Sequence, residues 1–530
     1  MKTVRAASFE VLRAAGMTTM FGNPGSNELP FLQDFPDDFR YVLALHEGAA
    51  LGMADGYSQA IGEPVLVSLH SAAGVGQAMG NLVNSAASGT PLVLLSGQQR
   101  RELLTLQGVL ANVDATTLPK PLVKWSFEAP SAQSVPAVLA RAIVCATTAP
   151  TGPVYVSVPL EDWNEPADTD NLGFAVGRAV AGRPIVDSTT LRQLAARLDH
   201  ARNPVLVVGP QLDTDAGWKA AVALADKAGL PVMIGTAEYH RLGFPTGHPR
   251  YQGTLGVRVD QAREQLAAYD FVLWVGGAVL PYHAWTPGPY VSGGTELVLV
   301  TADADQAARS PLGGALVGDP ADALSRLADY ASARTRPLAD RSHRTSIETA
   351  EFTQKRVVEV LAAHAPRDAV YINETPSLSA IWDDLPITRP RSYLYPAAAG
   401  LGYGLPAAVG CALAQPDRPV IALIGDGSAN YSISGLWTAA QHRLDITYVI
   451  IDNGAYRALQ EFGEWLDAPK LPGLDLPGLD FVALAQGYGI PGTAIDEADT
   501  FAMALDKALS TPGPHLIQAK VTAVASGMFD

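Results

Sequence analysis

Two Gly- and Asp-containing segments in the last quarter of the chain carry the residue types of a metal site. Gly425-Asp426-Gly427 follows the apolar run VIALI, and Asp452-Asn453-Gly454 follows the apolar run ITYVII. One helical stretch, SISGLWTAAQHR, separates the runs, so we expect neighbouring parallel strands whose polar ends meet at one sheet edge. A carboxylate, an amide oxygen and a backbone carbonyl are hard ligands that suit Mg²⁺, whose shell is usually completed by phosphate oxygens and water. The spacing therefore predicts that Asp426 and Asn453 hold a metal and a diphosphate.

A second set of candidates lies near the amino terminus. Glu47 begins the small-residue stretch EGAALGMADG, and His70 ends the strand-like run VLVSLH. A carboxyl group in such apolar surroundings would have a raised pKa and could stay protonated near neutral pH. A glutamate at a helix N-terminus is also a common partner of the helix dipole, and a histidine at a strand end is often a core residue. On the residues alone, these alternatives stay open.

The elements that must position these residues are short β-branched runs that alternate with Ala-rich helical stretches. The runs include PVLVSLH, PLVLLSG, VYVSVPL, PVLVVGP, DFVLWVGG, ELVLVTAD, PVIALIGDG and ITYVIIDNG. This alternation predicts an α/β fold with doubly wound parallel sheets covered by helices on both faces. Polar linkers around 182–190 and 332–346 divide the 530 residues into three predicted domains, 1–181, 182–340 and 341–530.

The first and third predicted domains share a faint repeat. One copy reads EGAALGMADGYSQAIGEPVLVSLHSAAG from Glu47, and the other reads AGLGYGLPAAVGCALAQPDRPVIALIGDGSAN from Ala399. Each copy has a small-residue helix, a Pro-containing turn, a buried strand and a polar, Gly-rich loop. The repeat predicts two like domains that face each other across a shared ligand.

Composition excludes several classes of function. A net charge of −16 argues against a nucleic-acid partner, whose affinity depends on cationic contacts with phosphate. Two cysteines, Cys145 and Cys411, predict packed thiols rather than a disulfide framework. The amino-terminal segment MKTVRAASFEVLRAAG predicts an amphipathic helix rather than a signal peptide. No apolar run is long enough to span a membrane, so we expect a cytoplasmic protein without a membrane partner.

The spacing of Gly-Asp-Gly and Asn is similar to the signature of thiamine-diphosphate enzymes, in which a divalent metal anchors the diphosphate of the cofactor. That signature usually ends in Asn-Asn, whereas this chain has Asp452-Asn453. The resemblance implies that Asp426, Asn453 and the backbone carbonyl of Ala455 bind Mg²⁺ or Ca²⁺. Whether a second carboxylate at Asp452 affects the metal stays open.

Longer motifs resemble the benzoylformate decarboxylase family: FGNPGSNELPFL, LHSAAGVGQAMGNL, NVDATTLPKPLVKWS, GDGSANYSIS and LWTAAQ. The resemblance implies that the chain converts an aromatic 2-oxo acid, benzoylformate above all, to an aldehyde and CO₂. It also implies that Glu47 shares a proton with the pyrimidine ring of the cofactor and that Ser26 binds the substrate carboxylate. His70 and His283 would move protons, since their ordinary pKa lies near the operating pH.

The same resemblance assigns further residues and an assembly. Additional cofactor contacts are expected from residues of the third domain, with Leu401 supporting the bent cofactor: Ser377, Ala399, Gly400, Leu401, Gly425, Gly427, Ser428 and Tyr456. The expected apolar lining of the substrate pocket consists of Leu110, Ala458, Leu459, Phe462 and Leu476. A homo-oligomer is expected, at least a dimer and more commonly a tetramer, with active sites between chains.

Two other functions remain as alternatives. A carboligase similar to acetohydroxyacid synthase would carry a flavin, and the stretch LGFPTGHPRYQGTLG is compatible with it, although that family normally lacks a histidine where His70 stands. A non-enzymatic thiamine carrier would not need Ser26, Glu47 and His70 together. The stretch Gly74-Val75-Gly76 does not have the spacing of a dinucleotide-binding loop.

Overall fold

The computed structural model describes residues 1–236, 239–281, 284–337, 351–378, 380–385 and 387–524. These residues form three six-stranded sheets in which every paired strand is parallel to its neighbour. The predicted fold class is therefore confirmed. The predicted domain boundary at 181/182 falls between the first two sheets, and the one at 340/341 lies outside the described residues. The sheets do not fix the exact position of either boundary, so both stay predictions. His283 also lies outside them.

The first sheet has the strand order β2-β1-β3-β4-β6-β5. Its strands are β1 Thr19–Gly22, β2 Arg40–Leu43, β3 Val65–Leu69, β4 Leu92–Gln98, β5 Trp125–Glu128 and β6 Val154–Pro159. The helices are α1 Val4–Ala14, α2 Leu29–Leu32, α3 Glu47–Ile61, α4 Ser71–Ser88, α5 Arg101–Leu104, α6 Val135–Thr147 and α7 Leu172–Ala175, with 3₁₀ turns at Ala132–Ser134 and Asp162–Asn164. The predicted amino-terminal helix is α1, and the helix predicted to open at Glu47 is α3.

The middle sheet has the strand order β12-β11-β10-β7-β8-β9. Its strands are β7 Pro204–Val208, β8 Val232–Ile234, β9 Tyr251–Thr254, β10 Phe271–Val275, β11 Glu296–Thr301 and β12 Gly314–Val317. The helices are α8 Ser188–His200, α9 Asp215–Ala228, α10 Val259–Leu266, α11 Ala304–Ala308 and α12 Pro320–Tyr330, with a 3₁₀ turn at Pro210–Leu212. The order reverses between β7 and β10, which is where ligands bind in many open α/β sheets.

The third sheet has the strand order β14-β13-β15-β16-β18-β17. Its strands are β13 Val370–Glu374, β14 Tyr393–Leu394, β15 Val420–Gly425, β16 Ile446–Asp452, β17 Gly492–Ile495 and β18 His515–Lys520. The helices are α13 Gln354–His364, α14 Gly404–Ala414, α15 Asp426–Ala429, α16 Gly435–His442, α17 Arg457–Trp465, α18 Phe481–Gly487 and α19 Ala498–Ser510, with 3₁₀ turns at Pro376–Leu378 and Ile381–Asp383.

The first and third sheets have the same connectivity. When the strands of each are numbered from the first, both follow the order 2-1-3-4-6-5. The repeat in the sequence therefore corresponds to two domains with one topology, as predicted. In each, the repeated segment is the helix between the second and third strands, α3 in one domain and α14 in the other, with the strand that follows it.

Helices α3 and α14 pack directly against each other and join the two like domains. Their small residues permit the close approach, because a side chain on Gly52 would meet Pro406 at 2.7 Å and one on Gly56 would meet the backbone of Ala407. Buried apolar residues of both helices belong to one continuous core that extends from the first sheet into the third. Cys411 is buried here, with its thiol 3.4 Å from the carbonyl oxygen of Gly56.

The central strands are buried on both faces, as their uninterrupted apolar sequences require. Every residue of β3, β4 and β7 is buried. The functional residues therefore have to lie beyond the carboxyl ends of the strands, in the loops. Among the described residues, no helix is long and apolar enough to cross a membrane.

Candidate active site

The predicted metal site lies where β15 and β16 end side by side. Gly425 pairs with Ile451 across these strands, so the loops that follow them are adjacent. Asp426 connects the two loops, since its Oδ1 accepts a hydrogen bond from the N–H of Gly427 at 2.8 Å and its Oδ2 accepts one from the N–H of Gly454 at 2.8 Å. The structure thus brings Asp426 next to Asn453, as the strand spacing predicts.

The neighbouring carboxylate of Asp452 has a different set of partners. Its Oδ2 accepts a hydrogen bond from the Nε2 of Gln518 at 2.7 Å, and its Oδ1 lies 3.3 Å from the N–H of Gly454. Asn453 turns its Oδ1 toward the N–H of Ala455, at 3.1 Å, and Gly454 between them has a φ of +70°. This turn gathers an amide oxygen and backbone carbonyls beside Asp426.

The electrostatics of Asp426 fit a cation site. The pKa of its carboxyl group is raised to about 6, mainly by burial and in part by the charge of Asp452, although the backbone N–H groups around it act to lower the pKa. No cluster of three or more His, Cys, Asp or Glu side chains among the described residues could hold a metal ion. A cation at this turn would therefore rest on one carboxylate, one amide and carbonyl oxygens, with further oxygens from a ligand. Magnesium accepts such a shell.

The remaining predicted cofactor residues of the third domain surround the same sheet edge. Ser428 is buried on α15, and the ring of Tyr456 lies against Gly427, where it leaves no room for a side chain. Ser377 is partly exposed on the 3₁₀ turn that follows β13. Ala399, Gly400 and Leu401 belong to the loop between β14 and α14.

The predicted pocket residues of the third domain lie on elements next to the turn at 452–455. α17 begins directly after Tyr456 and carries Ala458, Leu459 and Phe462. Leu476 lies on a segment that runs beside the turn, since its N–H donates to the carbonyl of Gly454 at 2.7 Å. The turn, the start of α17 and Leu476 are therefore adjacent.

Glu47 occupies the first position of α3, against α4. Its side chain is 6% exposed, and a side chain on Gly74 would meet its Oε1 at 2.9 Å, so this close contact requires a glycine. His46 caps the helix, with its Nδ1 3.0 Å from the N–H of Gly48. Among the described residues, none donates a hydrogen bond to the carboxyl group of Glu47. A buried carboxyl group with no donor among these residues is available to a ligand.

His70 lies at the end of β3 and is held by Glu28, a residue that the sequence analysis missed. The Nδ1 of His70 is 2.8 Å from the Oε2 of Glu28. The same carboxylate accepts hydrogen bonds from the backbone N–H groups of Gly25, at 3.0 Å, and Gly97, at 2.9 Å. Gly25 lies so close to the His70 ring that no other residue would fit there.

Ser26 and Leu110 lie at the same end of the first sheet. Ser26 is exposed and sits between Gly25 and Asn27. The carbonyl of Leu110 accepts hydrogen bonds from the hydroxyl of Ser71, at 2.7 Å, and from the Nδ2 of Asn27, at 3.4 Å. Leu110 has a φ of +68° and is 37% exposed. The structure therefore brings three predicted residues of the first domain together: Ser26, His70 and Leu110.

The candidate residues thus form two half-sites, one per domain. We call the group Ser26, Glu47, His70 and Leu110 the amino-terminal half-site. The group Ser377, Asp426, Asn453, Tyr456, Ala458, Leu459, Phe462 and Leu476 is the carboxyl-terminal half-site. Among the described residues, no hydrogen bond or ion pair joins a member of one half-site to a member of the other.

Comparison with known proteins matches all three parts of the chain to one enzyme family. Three family models match it: the N-terminal TPP binding domain of thiamine pyrophosphate enzymes over residues 2–118, their central domain over 191–327 and their C-terminal TPP binding domain over 378–519. A benzoylformate decarboxylase of Pseudomonas aeruginosa is 46% identical over 99% of this chain and 100% of its own.

Solved structures give the same result. The thiamine diphosphate-dependent 4-hydroxybenzoylformate decarboxylase of Rhodococcus jostii RHA1 superposes with a TM-score of 0.95 and is 46% identical, covering 99% of this chain and 100% of its own. A benzoylformate decarboxylase of Polynucleobacter necessarius has a TM-score of 0.92 and 35% identity over 98% of this chain and 99% of its own.

Proposed function

We propose that this chain, which belongs to the thiamine pyrophosphate enzyme family, catalyses the non-oxidative decarboxylation of an aromatic 2-oxo acid to an aldehyde and CO₂. Benzoylformate is the substrate we favour. The observation that carries the proposal is the partly buried His70–Glu28 contact beside Ser26 and Leu110, in a chain that is similar along its whole length to aromatic 2-oxo acid decarboxylases.

In this proposal, Glu47 acts on the cofactor, whereas Ser26 and His70 act on the substrate. When bound, thiamine diphosphate supplies a nucleophilic thiazolium carbon and accepts the electrons that CO₂ leaves behind. The Glu47 carboxyl exchanges a proton with the pyrimidine ring, and the hydroxyl of Ser26 binds the substrate carboxylate. His70, whose Nδ1 is engaged by Glu28, presents Nε2 to the reacting groups and moves protons there. His283 is proposed as its partner in proton transfer.

Binding of the aromatic ring is assigned to the apolar side chains of both half-sites. Leu110 contributes from the first domain, and α17 with Leu476 contributes from the third. Such a wall selects substrates by shape, with each methylene group worth about 1–3 kcal/mol of discrimination. Mg²⁺, or Ca²⁺, held by Asp426, Asn453 and the carbonyl of Ala455 would bind the diphosphate of the cofactor.

The proposal includes a homo-oligomer with active sites between chains, at least a dimer and more commonly a tetramer. In support, apolar side chains next to both half-sites are exposed in the single chain, among them Leu106 (74%), Val109 (86%) and Leu459 (52%). A second copy that covers them would remove apolar surface from water while pairing an amino-terminal half-site with a carboxyl-terminal one. No nucleic-acid partner is proposed, and the cytoplasmic location stays a prediction.

A substrate panel tests the proposed function. The purified protein, loaded with thiamine diphosphate and Mg²⁺, is incubated with benzoylformate, 4-hydroxybenzoylformate, a branched aliphatic 2-oxo acid and pyruvate, and aldehyde and CO₂ are quantified. We expect the aromatic acids to give at least about tenfold higher kcat/KM than pyruvate, from the apolar area that the ring buries. Equal rates on all four, or acetohydroxyacid formation from pyruvate, would reject it.

A further inference from the structure

Two asparagines of α4, Asn81 and Asn84, reach from the first domain to the loop before α14. They are one helical turn apart, so they share one face of the helix, and they are 4% and 1% exposed. The loop they reach contains Ala399, Gly400 and Leu401, which the proposed function assigns to the cofactor. Neither asparagine was assigned a role by the sequence analysis.

Asn84 determines the conformation of this loop. Its Oδ1 accepts hydrogen bonds from the N–H groups of Ala398, at 3.1 Å, and Gly400, at 3.2 Å, and its Nδ2 donates to the carbonyl of Gly400 at 2.8 Å. The loop needs such support, because Ala399 and Gly402 have φ values of +55° and +92°. A left-handed alanine is unfavourable in a free chain.

Asn81 makes a different pair of contacts. Its Nδ2 donates both of its hydrogens, one to the carbonyl of Gly48 at 2.8 Å and one to the carbonyl of Gly402 at 3.1 Å. Gly48 directly follows Glu47, and Gly402 directly follows Leu401. One amide group therefore joins the backbone beside the catalytic carboxyl to the backbone beside the cofactor loop. The Oδ1 of Asn81, 3.3 Å from the Nδ2 of Asn84, fixes the orientation of that amide.

The far side of the loop is fixed by its own domain. The carboxyl group of Glu374, at the end of β13, accepts hydrogen bonds from the N–H groups of Gly402 and Gly404, both at 2.5 Å. The N–H of Gly404 is among the donors that the start of α14 leaves unpaired. The loop is thus held between Glu374 and the two asparagines, so a displacement at Asn81 cannot be absorbed by free movement of Gly402.

We propose that Asn81 is a positioning residue that sets Glu47 and the cofactor loop relative to each other. The inference rests on the proposed function, which gives Glu47 and Leu401 to the thiamine cofactor. In the proposed oligomer, Glu47 and Leu401 of one chain face two different cofactors, so the amide of Asn81 joins two active sites. Asn84 bonds to the loop and to Asn81 but, among the described residues, its side chain makes no hydrogen bond to α3.

The difference between the two asparagines provides the test. Asn81→Ala removes the hydrogen bonds that its amide donates to the carbonyl oxygens of Gly48 and Gly402. We therefore expect affinity for thiamine diphosphate with Mg²⁺ to fall about three- to tenfold, the effect of a buried hydrogen bond. Exchange of the thiazolium C2 proton at saturating cofactor should slow by a similar factor, because Glu47 is displaced. Asn84→Ala should weaken binding comparably but slow exchange at saturation less than Asn81→Ala does, because Asn84 acts on Glu47 only through its contact with Asn81. Affinity is measured by titration of the apoprotein, and exchange by proton NMR.

Two further variants secure the interpretation. Asn81→Ser retains one donor and should recover part of both losses, and it replaces the alanine variant if that fails to fold. Glu47→Gln, measured in parallel, should slow exchange whatever the role of Asn81. If Asn81→Ala weakens binding without slowing exchange, or changes neither, the inference is wrong. If Glu47→Gln leaves exchange intact, or the wild type binds no thiamine diphosphate, the proposed function itself fails.

Discussion

The Nδ1 atom of His70 lies 2.8 Å from the Oε2 of Glu28, a side chain that is only 3% exposed. The same carboxylate also accepts from the N–H groups of Gly25, Ser71 and Gly97. Its oxygens are therefore surrounded by donors, so the Nδ1 of His70 must donate as well. This arrangement fixes the ring orientation and leaves Nε2 as the nitrogen that can meet a substrate.

We expect Glu28→Gln to lower kcat for benzoylformate about tenfold or more, short of the ~10²–10⁴-fold loss expected for His70→Ala. The glutamine amide offers one acceptor oxygen to four donors, so the ring of His70 loses its fixed tautomer. KM should change less than kcat, because Glu28 does not face the substrate. Steady-state kinetics across a pH series would also show a displaced pH profile.

Glu10→Gln is the matched control for Glu28→Gln. Glu10 pairs with Lys2 at the surface, so the same chemical change there should leave kinetics unaltered. An unchanged kcat and pH profile for Glu28→Gln would contradict the role given to this carboxylate.

Asp426 should make the stability of the apoprotein depend on pH. Folding raises the pKa of its carboxyl group from 3.8 to about 6, so the folded state favours the neutral form. Its contribution to stability is complete below 3.8, declines as the pH rises through about 6, and is lost above that. Asp426→Asn cannot titrate. The thermal midpoint of the wild-type apoprotein minus that of the variant should therefore be larger at about pH 5 than at about pH 8.

At the higher pH, adding the ligands should stabilise the wild type relative to the variant. A bound cation compensates the charge of Asp426, so Mg²⁺ with thiamine diphosphate should raise the midpoint of the wild type but not that of Asp426→Asn. A variant that is stabilised like the wild type would show that Asp426 does not hold the metal.

The two residues of the Asp452-Asn453 pair should respond differently to substitution. Asp452 is engaged by Gln518, and Asp452→Asn keeps an oxygen that can accept from its Nε2. We expect this variant to bind cofactor within about threefold of the wild type, an effect of less than 1 kcal/mol. Asn453→Ala removes a proposed metal ligand and should weaken binding at least about a hundredfold. Titration of both apoproteins at fixed Mg²⁺ checks this; comparable losses would make Asp452 a second ligand.

The fold could be predicted because it depends on local patterns. All eight apolar runs quoted from the sequence are strands in the structure. The helical stretch predicted between the last two of them is α16. The repeat was detectable because α3 and α14 must both be built of small residues to approach each other. Short edge strands such as β14, with Tyr393 and Leu394, gave no comparable signal because they lack a long apolar run.

The supporting residues of the site could not be predicted in the same way. Glu28 contacts His70 across 42 positions of sequence, and Asn81 contacts Gly402 across 321. In sequence, these are ordinary polar residues of a loop and a helix, and only the tertiary fold supplies their partners. The motif residues were recognisable because they sit at strand ends, where parallel sheets collect polar groups.

The last prediction concerns how two chains combine their half-sites. Glu47→Gln disables the amino-terminal half-site and Asp426→Ala the carboxyl-terminal one, so each variant alone should be nearly inactive. If sites form between chains, a mixed dimer has one site with both defects and one site with none. Random pairing of co-expressed variants makes half of the dimers mixed, so activity should recover to about a quarter of the wild type.

A second pairing controls for non-specific rescue. Glu47→Gln and His70→Ala both damage the amino-terminal half-site, so every site in their mixed dimers carries one defect. This pair should therefore stay inactive while the first pair recovers. Activity per chain of the unfractionated co-expressed mixture distinguishes the cases, and two different tags on the variants verify that mixed oligomers form. If the first pair recovers nothing although mixed oligomers form, each site must lie within a single chain, and the proposed assembly of the active site is wrong.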